Sequence, residues 1–211
     1  IILDQDTGDN FVVQGKGDLN LNMSPNGRIN LSGVYQVSNG HYKLSLYNLV
    51  KRKFLIAPGS QVVWNGDPFN AELDVKAIYN IESSVSSLMA PQISGANPSA
   101  KTKFRQVLPF EVYLNIDGEL LQPEISFQLD MPERERGSIG GQVYGRLQQV
   151  NQQEAELNRQ VFSLLVLNRF YPSPGSDGSA GGIETVARDN LNDAVAEQLN
   201  AFSNKLLGGS G

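Results

Sequence analysis

The stretch that decides the fold is AELDVKAIY, residues 71–79. Its apolar residues occupy every second position, and its charged residues lie between them. Because successive side chains of a β-strand point to opposite faces, this alternation predicts a strand with one dry face and one wet face.

The segments on both sides of this strand repeat its two-residue period. Turn signals separate them at Pro25-Asn26-Gly27, Pro58-Gly59 and Asn65-Gly66-Asp67-Pro68, and Asn39-Gly40 is the strongest short hairpin signal. Residues 83–102 are rich in Ser, Pro and Gly, which predicts a loop. The pattern indicates eight or nine short strands joined by tight turns, with Pro123 near the start of the last strand.

The period changes to that of an amphipathic helix near Pro132. The spacing predicts one helix over about 139–168 and another over 183–207. We therefore expect a mainly β fold: a curled antiparallel β-meander that forms an open apolar trough, followed by two C-terminal amphipathic helices.

This reading divides the chain into five parts. They are a β-trough domain at 1–131, an amphipathic helix at 132–171, a flexible linker at 172–182, a second helix at 183–207, and a linker or cloning remnant at 208–211. The chain begins Ile1-Ile2-Leu3-Asp4 without a Met, so we expect a piece of a longer protein, with no signal peptide and no membrane-spanning helix in it.

The composition argues against several classes of function. The 211 residues include no cysteine and one histidine, which excludes disulfides and thiolate metal sites and weakens histidine-based catalysis. The formal net charge of −5 is a poor basis for neutralising nucleic-acid phosphates. No spacing suggests paired catalytic carboxylates, so we expect no enzyme, no metal, no cofactor and no nucleic-acid partner.

The apolar residues of the strands must be buried against a second sheet, a helix or a ligand. A meander that curls on itself gives a closed barrel or an open trough, and a trough with an apolar floor could hold acyl chains. The residues alone favour an ordinary core over such a floor. The candidates for the floor are Leu19, Leu21, Ile29, Leu31, Tyr35, Val37, Tyr42, Leu44, Leu46, Phe54, Ile56, Val62, Trp64, Leu73, Val75, Phe110, Val112, Leu114, Ile116, Ile125, Phe127 and Leu129.

The run FLIAPGSQVVWNGDPFNAELDVKAIY, residues 54–79, resembles the C-terminal domain of the TamB family in the AsmA-like group. Three further segments resemble the same family in the same order: GVYQVSNGHYKLSL at 33–46, VYLNIDGELLQPEISF at 112–127, and QVFSLLVLNRF at 160–170, which is similar to Bacteroidetes-type members. No one of these motifs is diagnostic, but together they cover most of residues 11–170.

The resemblance implies a fold and a function that the residue periods do not show. TamB-like proteins are anchored in the inner membrane, cross the periplasm of Gram-negative bacteria, and line a β-taco trough with apolar side chains. The family is implicated in phospholipid transport to the outer membrane and in outer-membrane protein assembly, and its C-terminal end meets an Omp85-type barrel. The implied partners are phospholipid and that barrel, with membrane contact made by parts of the full-length protein outside this chain.

Two readings of the function stay open beside the disfavoured enzyme. In the first, the trough shields acyl chains during transport. In the second, the chain is a structural envelope scaffold or interaction module with a closed core that docks an Omp85-type barrel. Two small basic clusters, Lys51-Arg52-Lys53 and Lys101 to Arg105, could contact lipid phosphates or could serve as exposed lysines that prevent edge-to-edge aggregation.

Overall fold

A computed structural model describes residues 2–4, 9–46, 50–93 and 95–171 of the chain. Eight strands in this part form one sheet: β1 (Ile2–Asp4), β2 (Asp9–Met23), β3 (Ile29–Leu46), β4 (Val50–Ile56), β5 (Gln61–Gly66), β6 (Ala71–Ser84), β7 (Val107–Glu119) and β8 (Gln122–Asp130). Four α-helices accompany them: α1 (Ser86–Ile93), α2 (Pro98–Lys103), α3 (Gln142–Asn151) and α4 (Glu154–Leu167). The expected mainly β fold with helices toward the C-terminus is confirmed.

The sheet follows the order of the chain. Its path is β1-β2-β3-β4-β6-β7-β8, and β5 pairs with both β3 and β6. The pairs of β3 with β2, β4 and β5 are all antiparallel, as are the pairs of β6 with β4 and β5. The chain divides into two compact units, the first made of residues 1–79 and 112–128 and the second of residues 80–111 and 129–211.

Asn39-Gly40 does not form the predicted hairpin, because β3 continues through it as one strand of 18 residues. Gln14 pairs with Asn39 and Gly15 pairs with Val37, so Ser38 is an extra residue in β3. A single extra residue is a β-bulge, and it moves the following side chains to the opposite parity. The sequence shows this parity change between Val37 and Tyr42, and the bulge, not a chain reversal, is its cause.

Pro58-Gly59 forms the predicted turn, in which the Ser60 nitrogen donates to the Ala57 carbonyl at 3.3 Å, but this turn is a bulge between β4 and β5 and does not reverse the chain. Strand β4 pairs with residues 41–46 of β3 and β5 pairs with residues 31–36, so β4 and β5 run in the same direction along β3. Gly59 has φ +92°, which the loop between them requires. The turns at Pro25-Asn26-Gly27 and Asn65–Pro68 do reverse the chain, as predicted.

The predicted loop at 83–102 is wrong for most of its length. Strand β6 extends to Ser84, and the helices α1 and α2 follow. Leu88 and Met89 of α1 are buried, and the Ser86 hydroxyl donates to the Phe104 carbonyl at 2.9 Å. Burial of these two side chains in the second unit outweighs the loop-forming composition around them.

The single helix predicted over 139–168 is two helices in the structure. Residues 138–141 form a short 3-10 turn in which Ile139 has φ +52°, and α3 starts only at Gln142. The chain then breaks between α3 and α4, where Gln153 is extended. The apolar stripe of both helices is buried in the second unit, and its members are Val143, Leu147, Val150, Leu157, Val161, Leu164 and Leu165. The predicted linker at 172–182, helix at 183–207 and tail at 208–211 lie outside the described residues.

Candidate functional site

The strand register gathers the predicted lining residues of the first unit on one face of the sheet. Leu21 lies opposite Leu31, Tyr42 lies opposite Phe54, and Val62 lies opposite both Tyr35 and Leu73. Paired residues of neighbouring strands point to the same side. We call this side the apolar face, and it carries Leu19, Leu21, Ile29, Leu31, Tyr35, Val37, Tyr42, Leu44, Phe54, Ile56, Val62, Trp64, Leu73, Val75, Val112, Leu114, Ile116, Ile125 and Phe127.

Contacts between polar side chains fix the orientation of β6, β7 and β8. The Lys76 ammonium lies 6.0 Å from the centre of the Tyr113 ring, and the Asn115 amide lies 3.4 Å from the Ser126 hydroxyl. These four residues therefore share the opposite face of the sheet. The residues that alternate with them in the three strands belong to the apolar face.

The bulge at Ser38 keeps the apolar face continuous along β3. Strand β2 has a regular two-residue period, so without the extra residue the second half of β3 would turn its apolar side chains the wrong way. The Ser38 hydroxyl donates to the Gln14 carbonyl at 3.1 Å, across from the bulge. This hydrogen bond ties the extra residue to β2.

The exposure of the side chains on the apolar face increases from its centre toward the β2–β3 turn. Phe54 and Val112 are fully buried, whereas Leu21 near the β2–β3 turn is 72% exposed. The buried set is Val37, Phe54, Ile56, Val75, Val112, Leu114 and Phe127. The half-buried set is Leu31, Tyr35, Tyr42, Leu44, Val62, Trp64, Leu73 and Ile116, and the exposed set is Leu19, Leu21, Ile29 and Ile125.

Three of the predicted lining residues are not among the residues assigned to the apolar face. Phe110 lies in the second unit and packs edge-on against Phe170, with ring centres 4.8 Å apart. Leu129 also lies in the second unit, where the Asn151 amide bonds both its backbone groups. Leu46 lies at the end of β3, and its side chain is outside the described part of the structure.

Tyr35 covers the glycines of β2 on the apolar face. A Cβ atom added at Gly15 or Gly17 would lie within 3.2 Å of the Tyr35 side chain. The two glycines therefore let an aromatic ring lie directly against the backbone of the neighbouring strand. Trp64 is anchored by a 3.1 Å hydrogen bond from its indole nitrogen to the Pro68 carbonyl.

The periodicity missed a group of exposed apolar residues at one end of the first unit. Phe69 lies in the β5–β6 turn, and Leu120 and Leu121 form the β7–β8 turn. The backbone nitrogen of Leu120 donates to the Ala71 carbonyl at 2.8 Å, which places these two turns side by side. The available signal was the presence of large apolar residues in turns, where polar residues are usual.

The face opposite the apolar one carries charge near the β3–β4 connection. Lys43 lies directly opposite Lys53, and His41 lies opposite Leu55. Partial burial of His41, together with the positive charges of Lys53 and Lys43, lowers the pKa of its imidazole below the usual value. Across residues 2–4, 9–46, 50–93 and 95–171, no three acidic or histidine side chains group as metal ligands would.

The described helices include none with both the length and the apolar character needed to cross a bilayer.

Among curated proteins, none matches the chain significantly. A family model described as the TamB C-terminal domain matches residues 1–209. The order of strands, the bulge at Pro58-Gly59-Ser60 and the apolar face all lie within this match. The chain belongs to the TamB C-terminal domain family and is part of a TamB-like protein of the translocation and assembly module of the Gram-negative envelope.

Proposed function

We propose that the first unit shields lipid acyl chains against its apolar face while a longer TamB-like protein moves phospholipid from the inner to the outer membrane. The observation that carries this proposal is the change in side-chain exposure along the apolar face. Phe54 is fully buried, whereas Leu21 on the same face is largely exposed. A monomeric domain with no apolar ligand rarely leaves such a face uncovered.

The driving force is the burial of hydrocarbon. Each methylene group removed from water contributes about 0.8 kcal/mol. This contribution is similar wherever the methylene group lies on an apolar surface, so an acyl chain can slide along Leu19, Leu21, Leu31 and Ile29 without a large barrier. The polar head group stays in water at the border of the face.

The proposed activity needs no catalytic residue, and we propose that the chain is not an enzyme. In this proposal the chain binds and releases lipid by burying and exposing hydrocarbon, and no covalent bond is made or broken.

We further propose a periplasmic location, an inner-membrane anchor elsewhere in the full-length protein, and an Omp85-type outer-membrane barrel as the protein partner, with a supporting role in outer-membrane protein assembly. Membership of the TamB C-terminal domain family supports these proposals.

A second candidate function is a scaffold with a filled core that docks the same barrel. The fully buried side chains of Phe54, Val112 and Ala77 favour it, because they are packed as in an ordinary protein interior. The two candidates differ in what they predict for the open end of the apolar face.

The experiment compares Leu21→Asp with Asn22→Asp, which adds the same charge at the next residue on the opposite face. Both side chains are exposed, so neither variant should unfold the sheet. Lipid co-purifying with each protein is extracted and measured by mass spectrometry. The proposal predicts that Leu21→Asp loses most of the lipid because an unpaired carboxylate meets hydrocarbon, and that Asn22→Asp keeps it. Lipid-free wild-type protein, or equal lipid in both variants, favours the scaffold.

A further inference from the structure

Three lysines lie on one face of the first unit near the β3–β4 connection. Lys43 of β3 pairs directly with Lys53 of β4, and Lys51 pairs with Ser45 of β3, so all three side chains point to the face opposite the apolar one. All three are exposed. We call Lys43, Lys51 and Lys53 the lysine patch.

Among the side chains that the structure describes, no carboxylate forms a salt bridge with the lysine patch. The salt bridges among the described residues all involve arginines, and none involves a lysine of the patch. Like charges directly opposite each other on neighbouring strands are destabilising. A concentration of positive charge in a chain of net charge −5 therefore needs an explanation other than the stability of the sheet.

Exposed apolar side chains lie beside the patch on the same face. Val12 of β2 and Leu55 of β4 both pair with His41, and they are 47% and 49% exposed. The row that they form with His41 is the next one on this face, two residues along the strands from Lys43 and Lys53. Lysines beside exposed aliphatic side chains are the combination that proteins use at the boundary between water and a lipid bilayer.

We infer that the lysine patch binds the anionic phospholipid head groups of a membrane surface, with Val12 and Leu55 resting on that surface beside it. This surface lies on the face opposite the apolar one, so the inference goes beyond the proposed shielding of acyl chains and does not depend on it. It assigns a direct membrane contact to this domain itself.

The chemistry of the patch favours a membrane over a single phosphate ion or an acidic protein. Lysine ammonium groups act as mobile point charges, and the three lysines of the patch lack the planar fork by which an arginine binds one anion. Each lysine near an anionic membrane surface contributes about a fivefold increase in affinity. Three lysines on a sheet face with exposed aliphatic neighbours match a broad, negatively charged surface.

The pKa of His41, the one histidine of the chain, depends on the charge of the lysine patch, so this charge can be followed without adding a label. Lys53 and Lys43 both lower the pKa of His41, so negative charge brought close to them should raise it. Titration of the His41 ring protons by NMR therefore reads the electrostatic state of this surface directly.

The test measures co-sedimentation of the 211-residue protein with vesicles of phosphatidylcholine mixed with phosphatidylglycerol, and with vesicles of phosphatidylcholine alone. The variant K43Q/K51Q/K53Q removes the patch. The matched control R28Q/R134Q/R169Q removes three exposed positive charges elsewhere. We expect binding to the anionic vesicles that weakens with salt, falls about 100-fold in the patch variant, and changes little in the control beyond the general loss of charge.

Other results would overturn the inference. Equal binding to both kinds of vesicle, equal loss in the two triple variants, or no binding to anionic vesicles each contradicts it. An increase in the pKa of His41 with inorganic phosphate alone, and none with anionic vesicles, would indicate a site for a free anion instead. The variant Leu21→Asp should keep its vesicle binding, so failure of the acyl-chain proposal is separable from failure of this one.

Discussion

The Ser60 hydroxyl lies 3.0 Å from the backbone nitrogen of Lys76 and accepts its hydrogen bond. The same hydroxyl donates to the Ala57 carbonyl at 2.8 Å, and the Ser60 carbonyl accepts from Val37 at 2.8 Å. Ser60 thus joins β3, the β4–β5 bulge and β6 where the regular ladder is interrupted. The Pro-Gly-Ser motif of the sequence is a bulge closed by a buried serine.

Replacing Ser60 by Ala should destabilise the first unit. The Lys76 amide would lose this acceptor at a partly buried position, which costs about 1–3 kcal/mol. Urea unfolding monitored by circular dichroism measures the change, with Ser99→Ala on the exposed surface of α2 as the control. An unfolding midpoint equal to that of the control would show that the Ser60 hydroxyl does not support the bulge.

Gly40 should tolerate no larger residue, although it lies in a strand. An added Cβ would lie 2.6 Å from the Val12 carbonyl oxygen and 3.2 Å from the Ile56 side chain. Gly40→Ala should therefore destabilise the protein by about 1–3 kcal/mol through overpacking. Gly95→Ala is the control because an added Cβ at that position meets nothing within 4 Å. Equal melting temperatures for the two variants would contradict the close strand contact.

Asn151 should be essential to the edge of β8. Its amide donates to the Leu129 carbonyl at 2.7 Å and accepts from the Leu129 nitrogen at 2.9 Å, as a neighbouring strand would. Asn151→Leu leaves both buried backbone groups unpaired, and we expect a loss of about 2–4 kcal/mol. The exposed Gln152→Leu serves as the control in the same denaturation assay. Full stability of Asn151→Leu would refute the role of this amide.

His41 should make the folded protein less stable at mildly acidic pH. Its pKa is lowered in the folded state by partial burial and then by Lys53 and Lys43, so the unfolded chain binds more protons below the usual value of about 6.5. Stability is therefore complete above that value and falls as the pH decreases toward the folded pKa. NMR titration should show a higher His41 pKa in Lys53→Gln than in wild type, and an unchanged pKa would refute the coupling.

The sequence predicted the sheet well because burial on one side leaves a strict two-residue period. The strand containing residues 71–79 and the turn at Pro25-Asn26-Gly27 are confirmed for this reason. Asn39-Gly40 misled because a bulge and a hairpin produce the same change of parity, and only the pairing of β3 with its neighbours distinguishes them.

Predictions failed where tertiary contacts decide the local structure. The helix α1 forms in a segment of loop-like composition because Leu88 and Met89 are buried there. The break between α3 and α4 follows Asn151, whose side chain bonds the backbone of Leu129. Membership of the apolar face was predictable from parity, whereas the difference in burial between Phe54 and Leu21 depends on packing that the period does not record.

Photo-crosslinking along β2 in cells tests the central claim most directly. Photoreactive side chains are placed singly at Leu19 and Leu21 on the apolar face and at Asn20 and Asn22 on the opposite face, four consecutive and exposed positions. The account predicts phospholipid adducts at Leu19 and Leu21 and far fewer at Asn20 and Asn22. Equal capture at all four positions, or capture of lipid at none, would contradict the claim that the apolar face holds acyl chains.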